Sequence, residues 1–344
     1  MLRSLAVPPP KPSIVVFGDI NADIIARVNS WPKPGEECLA PSLELHCGGV
    51  AANCAIALTR WQVRPTPIAQ VGQDPIAQAV LKKLQAQDVG TNHIHATNKA
   101  MTGLLYINVT PNGQRTFFGS RGANRSVRLQ PSDLAVVKCA SAAILMGYSF
   151  LDPQPAKAAL RILREVRSKK GWIAFDPGME PSQKISAKIL QIAKKVDLFL
   201  VSQEEACALT GEANAHKALY KLKKAGATNI VMKLGKYGCL FTENSEPREV
   251  PPFAVRSVDS TGAGDAFNAA FLQAKLRDWP ASEAAVAANA AGAAATQSIG
   301  AGEQAPTITQ IARILRTQRL PGPWDEIRKR VLRRLSSRSL SPSE

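Results

Sequence analysis

The sequence predicts a doubly wound α/β fold: a mostly parallel β-sheet flanked by helices, carrying a small β-strand lid. Two observations point there. Short apolar runs of strand character alternate along most of the chain with longer amphipathic stretches of helical period, the pattern of parallel strands joined by crossover helices. Two segments, "ADIIARVNSWPKPGEECLAPSLELHC" and "TGLLYINVTPNGQRTFFGSRGAN", break the alternation and read as extended strands joined by turns such as Pro111-Asn112-Gly113.

Taken in order, "SIVVFGD" is a strand, the first irregular segment supplies lid strands within about residues 22–47, and "GGVAANCAIALTRW" is a helix. "TPIAQVG" and "DPIAQAVLKKLQAQ" repeat the strand and helix pair, and the second irregular segment supplies lid strands within about 101–120. The series resumes with "SAAILMGYS", "PAKAALRILREVRSKKG", "WIAFDPG", "KVDLFLVS", "QEEACALTG", "AHKALYKLKKAG" and "TNIVMKLG". It ends with "VDSTGAGDAFNAAFL" and the Ala-rich "ASEAAVAANAAGAAATQ". In open α/β sheets ligands bind at the carboxyl ends of the strands, so inserted strands beside them suggest a cover over the site.

The chain has 344 residues, ample for a sizeable core, and a formal charge of +16. No apolar run is long enough to span a bilayer, and "MLRSLAVPPPKP" is too short and Pro-broken for a secretory signal, so a cytoplasmic protein without a membrane partner is expected. Cys38, Cys47, Cys54, Cys139, Cys207 and Cys239 form no CxxC pair and have no zinc-finger histidines, which fits reduced thiols. The sequons at Asn108 and Asn124 then carry no glycan. Arg328, Lys329, Arg330, Arg333 and Arg334 precede a Ser-rich tip, and residues 319–344 read as a basic, flexible tail, as residues 1–13 read as an N-terminal one.

The chemistry concentrates in "TGAGD". Gly262, Ala263 and Gly264 before a helix would let backbone N–H groups approach an anion, with the helix amino end adding partial positive charge. A tight turn needing glycine is the alternative. Asp265 is either a proton acceptor for an attacking hydroxyl or an acid favourably placed in a first helical turn. The phosphate motif GxxxxGK[ST] is absent, and "GAGEQA" from Gly300 follows a helix rather than a strand.

"GGVAANCAIALTRW" and "DSTGAGDAFNAAFL", with "GDINAD", Thr102-Gly103, "RGAN", "KLGKYG" and "ANAAGAAATQSIGA" in order between and after them, resemble the two signatures and intervening motifs of the PfkB, or ribokinase-like, family of carbohydrate kinases. The resemblance covers roughly residues 14–318. It implies a ribokinase-like kinase domain there, using ATP and Mg²⁺ to phosphorylate a hydroxyl on a small-molecule sugar or sugar acid. It implies Asp265 as general base, with the Gly262–Asp265 amides as anion hole. Asn21, Asp23, Gly48, Gly49 and Asn53 would bind the sugar. Lys233, Gly235, Gly238 and Asn289 would bind the nucleotide. The family's acidic motif N-E-x-E falls on Ser202, Gln203, Glu204 and Glu205, of which only the last acid matches, so Glu205 is implied to orient Mg²⁺ while Ser202 stands at a nucleotide-contact position. A potassium ion beside the anion hole is also implied, its site beginning at Asp259 and Thr261.

Two departures from ribokinases, Val50 for their lysine and Ser149 for their glutamate, weigh against ribose. Arg115 and Arg121 could face an acidic substituent. A nucleoside kinase, with Trp31, Tyr106, Phe117 and Phe118 stacking on a base, is the rival within the class. A silent kinase-like scaffold on nucleic acid is the rival outside it, disfavoured by the intact "GAGD". A homodimer through the lid is expected, with "LLYINV" as its candidate edge.

Overall fold

The computed structural model describes residues 13–111 and 115–336. The Pro-rich start, the turn at Asn112 and Gly113, and the tip after Ser336 lie outside the described residues. The strands are β1 (Ile14–Phe17), β2 (Asn21–Arg27), β3 (Leu43–Gly48), β4 (Pro65–Gly72), β5 (Ile94–Thr97), β6 (Gly103–Val109), β7 (Arg115–Ser120), β8 (Ala142–Met146), β9 (Trp172–Asp176), β10 (Leu198–Ser202), β11 (Ile230–Lys233), β12 (Cys239–Glu243) and β13 (Glu246–Val250). The helices are α1 (Val50–Arg60), α2 (Pro75–Gln85), α3 (Pro131–Cys139), α4 (Pro153–Ser168), α5 (Met179–Lys184), α6 (Ser186–Ala193), α7 (Gln203–Thr210), α8 (Ala215–Lys224), α9 (Ala263–Lys275), α10 (Ala281–Ala295), α11 (Ile308–Thr317) and α12 (Trp324–Ser336).

One sheet of nine strands has the order β13-β12-β11-β10-β9-β8-β1-β4-β5. Neighbours run parallel from β5 to β11, and β12 and β13 finish one edge as an antiparallel hairpin. Parallel strands need crossovers, and here the crossovers are helices that cover both faces. The pleat of β1 makes this visible. Ile14 and Val16 enter one apolar cluster with residues of α1, α9 and α10, while Val15 and Phe17 enter another with residues of α3, α4, α6 and α8. The strand order reverses at β1, between β4 and β8, and a crevice opens at the carboxyl ends there.

The interrupting strands form their own four-stranded sheet, β3-β2-β6-β7, with β2 and β6 parallel. The segment "LLYINV" is not an edge, contrary to expectation. β7 pairs with β6 from Val109↔Arg115 to Leu104↔Ser120, so β3 and β7 are the outer strands. Trp31 stacks on Phe118 at 5.8 Å, which gives these lid aromatics a partner within the lid. All six cysteines are free, and no helix of the described residues is long and apolar enough to cross a membrane.

The basic segment after residue 319 was expected to be a flexible tail. Its described part is instead a docked helix. On α12, Val331 and Leu335 are buried and Trp324 meets Phe241 edge-on at 6.5 Å. Arg330 and Arg334 both bond Glu283 of α10, at 2.8 and 2.7 Å, and Arg328 bonds Asp325 at 2.7 Å. The charge run misled because two of its arginines, four residues apart, reach one buried carboxylate, while Val331 and Leu335 beside them face the core. Leu335→Ala is therefore expected to cost about 2–4 kcal/mol in urea unfolding, the usual range for a truncated core leucine; a frayed tail would register no measurable change.

Candidate active site

Three adjacent parallel strands end on polar residues: β9 on Asp176, β10 on Ser202 and β11 on Lys233. Ser202 pairs with Lys233, and β9 runs parallel beside β10, so those ends open on one rim of the sheet. Lys233 Nζ donates to Asp176 Oδ2 at 2.9 Å and to Asn268 Oδ1 at 3.3 Å, and Asn268 Nδ2 donates to the same Asp176 oxygen at 2.5 Å. Asn268 comes from α9, so this triad fastens the helix to the rim.

The amino end of α9 faces the same place. Its N-cap, Gly262, has φ +75°, and an added Cβ would lie 2.9 Å from the Ala301 Cβ, so glycine is required on both counts. At Gly264 an added Cβ would have only the Lys233 side chain within 4 Å, its Nζ at 3.7 Å. The Ala263 N–H donates to the Ser260 carbonyl at 3.2 Å, and a helix amino end without large side chains beside an ammonium is an arrangement that can receive an anion. Asp265 follows. Its Oδ2 accepts from Asn53 Nδ2 at 2.9 Å, across the cleft from α1. Desolvation, aided by the charge of Asp176, pushes Asp265 up to about 7 against the opposing influence of Asn53 and Lys233.

The residues expected on the sugar side sit together. The Cβ that Gly48 lacks would lie 2.0 Å from Asp23 Oδ2, so the neighbouring strand must present glycine for this carboxylate to occupy its place. Gly49 has φ +87° and brings its backbone against the Asp19 carbonyl. Asp23 is 9% exposed with Oδ1 unpartnered, and desolvation raises it to about 6 despite His46. Asn53 Oδ1 is also unpartnered. Asn21 Oδ1 accepts from Asn124 Nδ2 at 2.9 Å, and Asn124 holds the turn after β1 by bonds to the Ile20 N–H and carbonyl. A cavity of about 330 Å³ runs from Asp23 and Cys47 past Ile107 of the lid to Arg115, Asp259 and Thr261.

The residues expected on the nucleotide side divide. Lys233 stands beside Gly264, and although burial opposes it, Asp176 and Glu205 hold its ammonium above the ordinary range. Gly235 lies in the short turn after β11, and at Gly238 an added Cβ would meet the Val250 carbonyl at 2.1 Å. Asn289 directs its amide to the Val250 and Pro251 carbonyls, at 3.4 and 3.3 Å, and so shapes the backbone there. Ser202 and Glu205 form a capping box at the start of α7: Ser202 N donates to Glu205 Oε2 at 2.7 Å and Glu205 N to Ser202 Oγ at 3.1 Å. Desolvation and the charge of Asp176 raise Glu205 to about 7, with Lys233 pulling the other way.

Two arginines considered for an acidic substituent are paired within the chain. Arg121 bonds Asp19 at 2.7 and 2.9 Å and also Asp152, and Arg115 pairs with Asp259. Asp259 also accepts from Thr261 N at 2.7 Å and Gly300 N at 2.8 Å. Sequence reasoning missed Asp176, Asn268, Asp19 and Asn124. The signal for Asp176 was its position closing an apolar strand in "WIAFDPG", where sheet-end carboxylates collect; Asn268 carried none, being one polar residue inside a helix.

A match to the description "pfkB family carbohydrate kinase" covers residues 11–308. The ribokinase of Haemophilus influenzae is 26% identical over 301 residues, 86% of this chain and 95% of that one. Fructokinase-1 of Zea mays is 27% identical over 318 residues, 88% and 97% of the two chains. Among solved structures, the ribokinase of Thermotoga maritima superposes with a TM-score of 0.77 at 26% identity, over 89% of this chain and all of that one. An Arabidopsis thaliana ribokinase complexed with ribose and ATP has the same TM-score at 24% identity, covering 88% and 98%, and speaks for the fold.

The raised acid at Asp265 has a consequence for stability. Its folded-state value of about 7 exceeds the 3.8 of a free aspartate, so the fold favours the protonated form, and that preference is lost as pH rises through about 7. Asp265→Asn, neutral at every pH, is expected to gain on wild type in thermal or urea unfolding from about pH 4 to 7 and then level off, by a few tenths to about 1 kcal/mol per pH unit, the part-exposed site damping the effect. A pH-independent difference would mean that Asp265 is an ordinary solvated acid.

Proposed function

The chain belongs to the pfkB family of carbohydrate kinases, and from that premise we propose that it transfers the γ-phosphoryl group of ATP to a hydroxyl of a small, uncharged sugar. The observation that carries this reading is Asp265, fixed by Asn53 at the amino end of α9 and poised at about 7. A carboxylate with that value accepts a proton near neutral pH, and the amides of Gly262, Gly264 and Asp265 receive the phosphoryl charge as it moves, that of Ala263 being taken by the Ser260 carbonyl. Lys233 adds a positive charge beside Gly264. Alignment and charge compensation are most of what phosphoryl transfer requires.

The sugar lies, in this reading, against Gly48 and Gly49, with its hydroxyls meeting the unpartnered oxygens of Asp23 and Asn53. A neutral sugar is favoured over a sugar acid or phosphate because Arg115 and Arg121 are already paired with aspartates. It is favoured over a nucleoside because Trp31 and Phe118 stack on each other. Mg²⁺ bound with ATP supplies compensation for the triphosphate charge. Glu205, oriented by the Ser202 N–H, and Asp176 would face its water shell. The lid closes over the sugar and excludes water, which protects ATP from hydrolysis. A cytoplasmic location belongs to the same reading, as does a homodimer through the lid. The dimer is supported by Leu43, Phe117 and Phe118, exposed on its outer strands at 62, 53 and 57%.

ADP release with Mg·ATP against ribose, deoxyribose, fructose, 2-keto-3-deoxygluconate, fructose 6-phosphate and adenosine tests this. Turnover is expected on one neutral sugar, with kcat/KM rising through about pH 7, and Asp265→Asn should lower kcat by about 10²–10⁴. Near wild-type turnover by Asp265→Asn sinks the assignment of the base. Asp23→Asn is expected to raise the sugar KM by about tenfold while leaving the KM for ATP within about twofold; equal changes in both would move Asp23 out of the sugar site. Sedimentation as a monomer at micromolar concentration would remove the dimer.

A further inference from the structure

Asp259 is 6% exposed and lies in the loop that leads into the N-cap of α9. Its bonds from Thr261 N and Gly300 N tie that loop to the segment after α10. Val258 N and Asp259 N reinforce the tie by donating to the Thr296 carbonyl at 2.7 and 3.2 Å, and Ala301 packs on Gly262. Two amides do not neutralise a carboxylate removed from water, so a counter-charge is needed. It comes from the lid. Arg115, the first residue of β7, reaches Asp259 Oδ1 with its guanidinium, the side chains being 19 and 4% exposed. Burial would raise Asp259, but the bonds from Arg115, Thr261 and Gly300 hold it below its ordinary range.

The other basic side chains lining this cavity have different partners. Arg27 faces Glu44 at 3.6 Å, and His46 lies between Glu44 and Glu303. Arg115 is therefore the positive charge that the structure brings to Asp259. The implied potassium site begins at this same carboxylate, and a carboxylate holding two amides and a guanidinium does not fit an exchangeable monovalent ion.

We propose that Arg115 is the built-in cation of the anion-hole loop: it does at Asp259 the work of a bound monovalent ion, and it ties the order of that loop to the position of the lid. Arg115 is a positioning residue, acting on Gly262–Asp265 through Asp259 and the loop. The inference rests on the reading of those amides as an anion hole, and its first test needs no turnover, so the two readings fail separately.

Melting temperatures are measured at constant ionic strength as potassium chloride replaces tetramethylammonium chloride, for wild type, Arg115→Ala and Arg115→Lys. Wild type and Arg115→Lys are expected to shift by less than about 1 °C, while Arg115→Ala melts lower in tetramethylammonium and regains about 3 °C or more, saturably, in potassium. With the sugar found active, kcat of Arg115→Ala should fall about tenfold or more in tetramethylammonium and recover with potassium, the KM for ATP moving less than about threefold. A wild-type protein that gains several degrees or about tenfold in kcat from potassium overturns the proposal. So does a folded Arg115→Ala protein that responds to potassium in neither measurement. Should Arg115→Ala not fold in either salt, Arg115→Gln takes its place with the same expectations.

Discussion

The ion pair between Lys233 and Asp176 is the contact on which the site depends. One ammonium stands among three carboxylates, those of Asp176, Glu205 and Asp265, and cannot satisfy all of them. Burial, with the charge of Asp176 adding to it, leaves two of these acids displaced to about 7. Such a cluster is costly to assemble and exists because parallel strands end side by side, with α9 held to the rim by Asn268. It also explains why a nucleotide would arrive with its metal. A bare triphosphate would meet net negative charge at this rim, whereas a magnesium-bearing one brings the cation that the carboxylates lack.

Close backbone approach is the second constraint. Gly48 makes room for Asp23, and Gly262 lets the loop turn against Ala301 into α9. The small residues in both signatures of the pfkB family thus have separate physical reasons in this chain, one steric and one conformational as well. Where carbonyls and amides come this near, the polar side chains between them are held by backbone. Asn124 fixes the turn after β1, and Asn289 fixes the strand end at Val250 and Pro251. Asn289 was expected beside adenosine. Its amide donates to the Val250 and Pro251 carbonyls and so shapes the wall there.

Charge is distributed in pairs more than in patches. The chain carries a net +16 and its basic end was read as a solvated tail, yet Arg328, Arg330 and Arg334 bond acids of α12 and α10. Arg115 and Arg121 are likewise matched to aspartates from distant parts of the chain. Composition counts charges but cannot see these pairings, since a guanidinium and its carboxylate are brought together by strand order and helix packing rather than by proximity in sequence.

The sequence by itself determined the layering of the fold, because the alternation of apolar periods two and 3.6 commits each segment to strand or helix before any tertiary contact forms. It also determined the turn at Gly262–Asp265 and the inserted strands as a separate strand system, since both are local patterns. Only the tertiary structure decided what surrounds them. Asn53 meets Asp265 across more than half the chain, Asp176 and Asn268 join Lys233 from two different elements, and Arg115 crosses from the lid to Asp259. No local signal carries such contacts, because a long-range pair is fixed by the order of strands in the sheet. The same reason turned "LLYINV" from an edge into an inner strand and the basic tail into a docked helix.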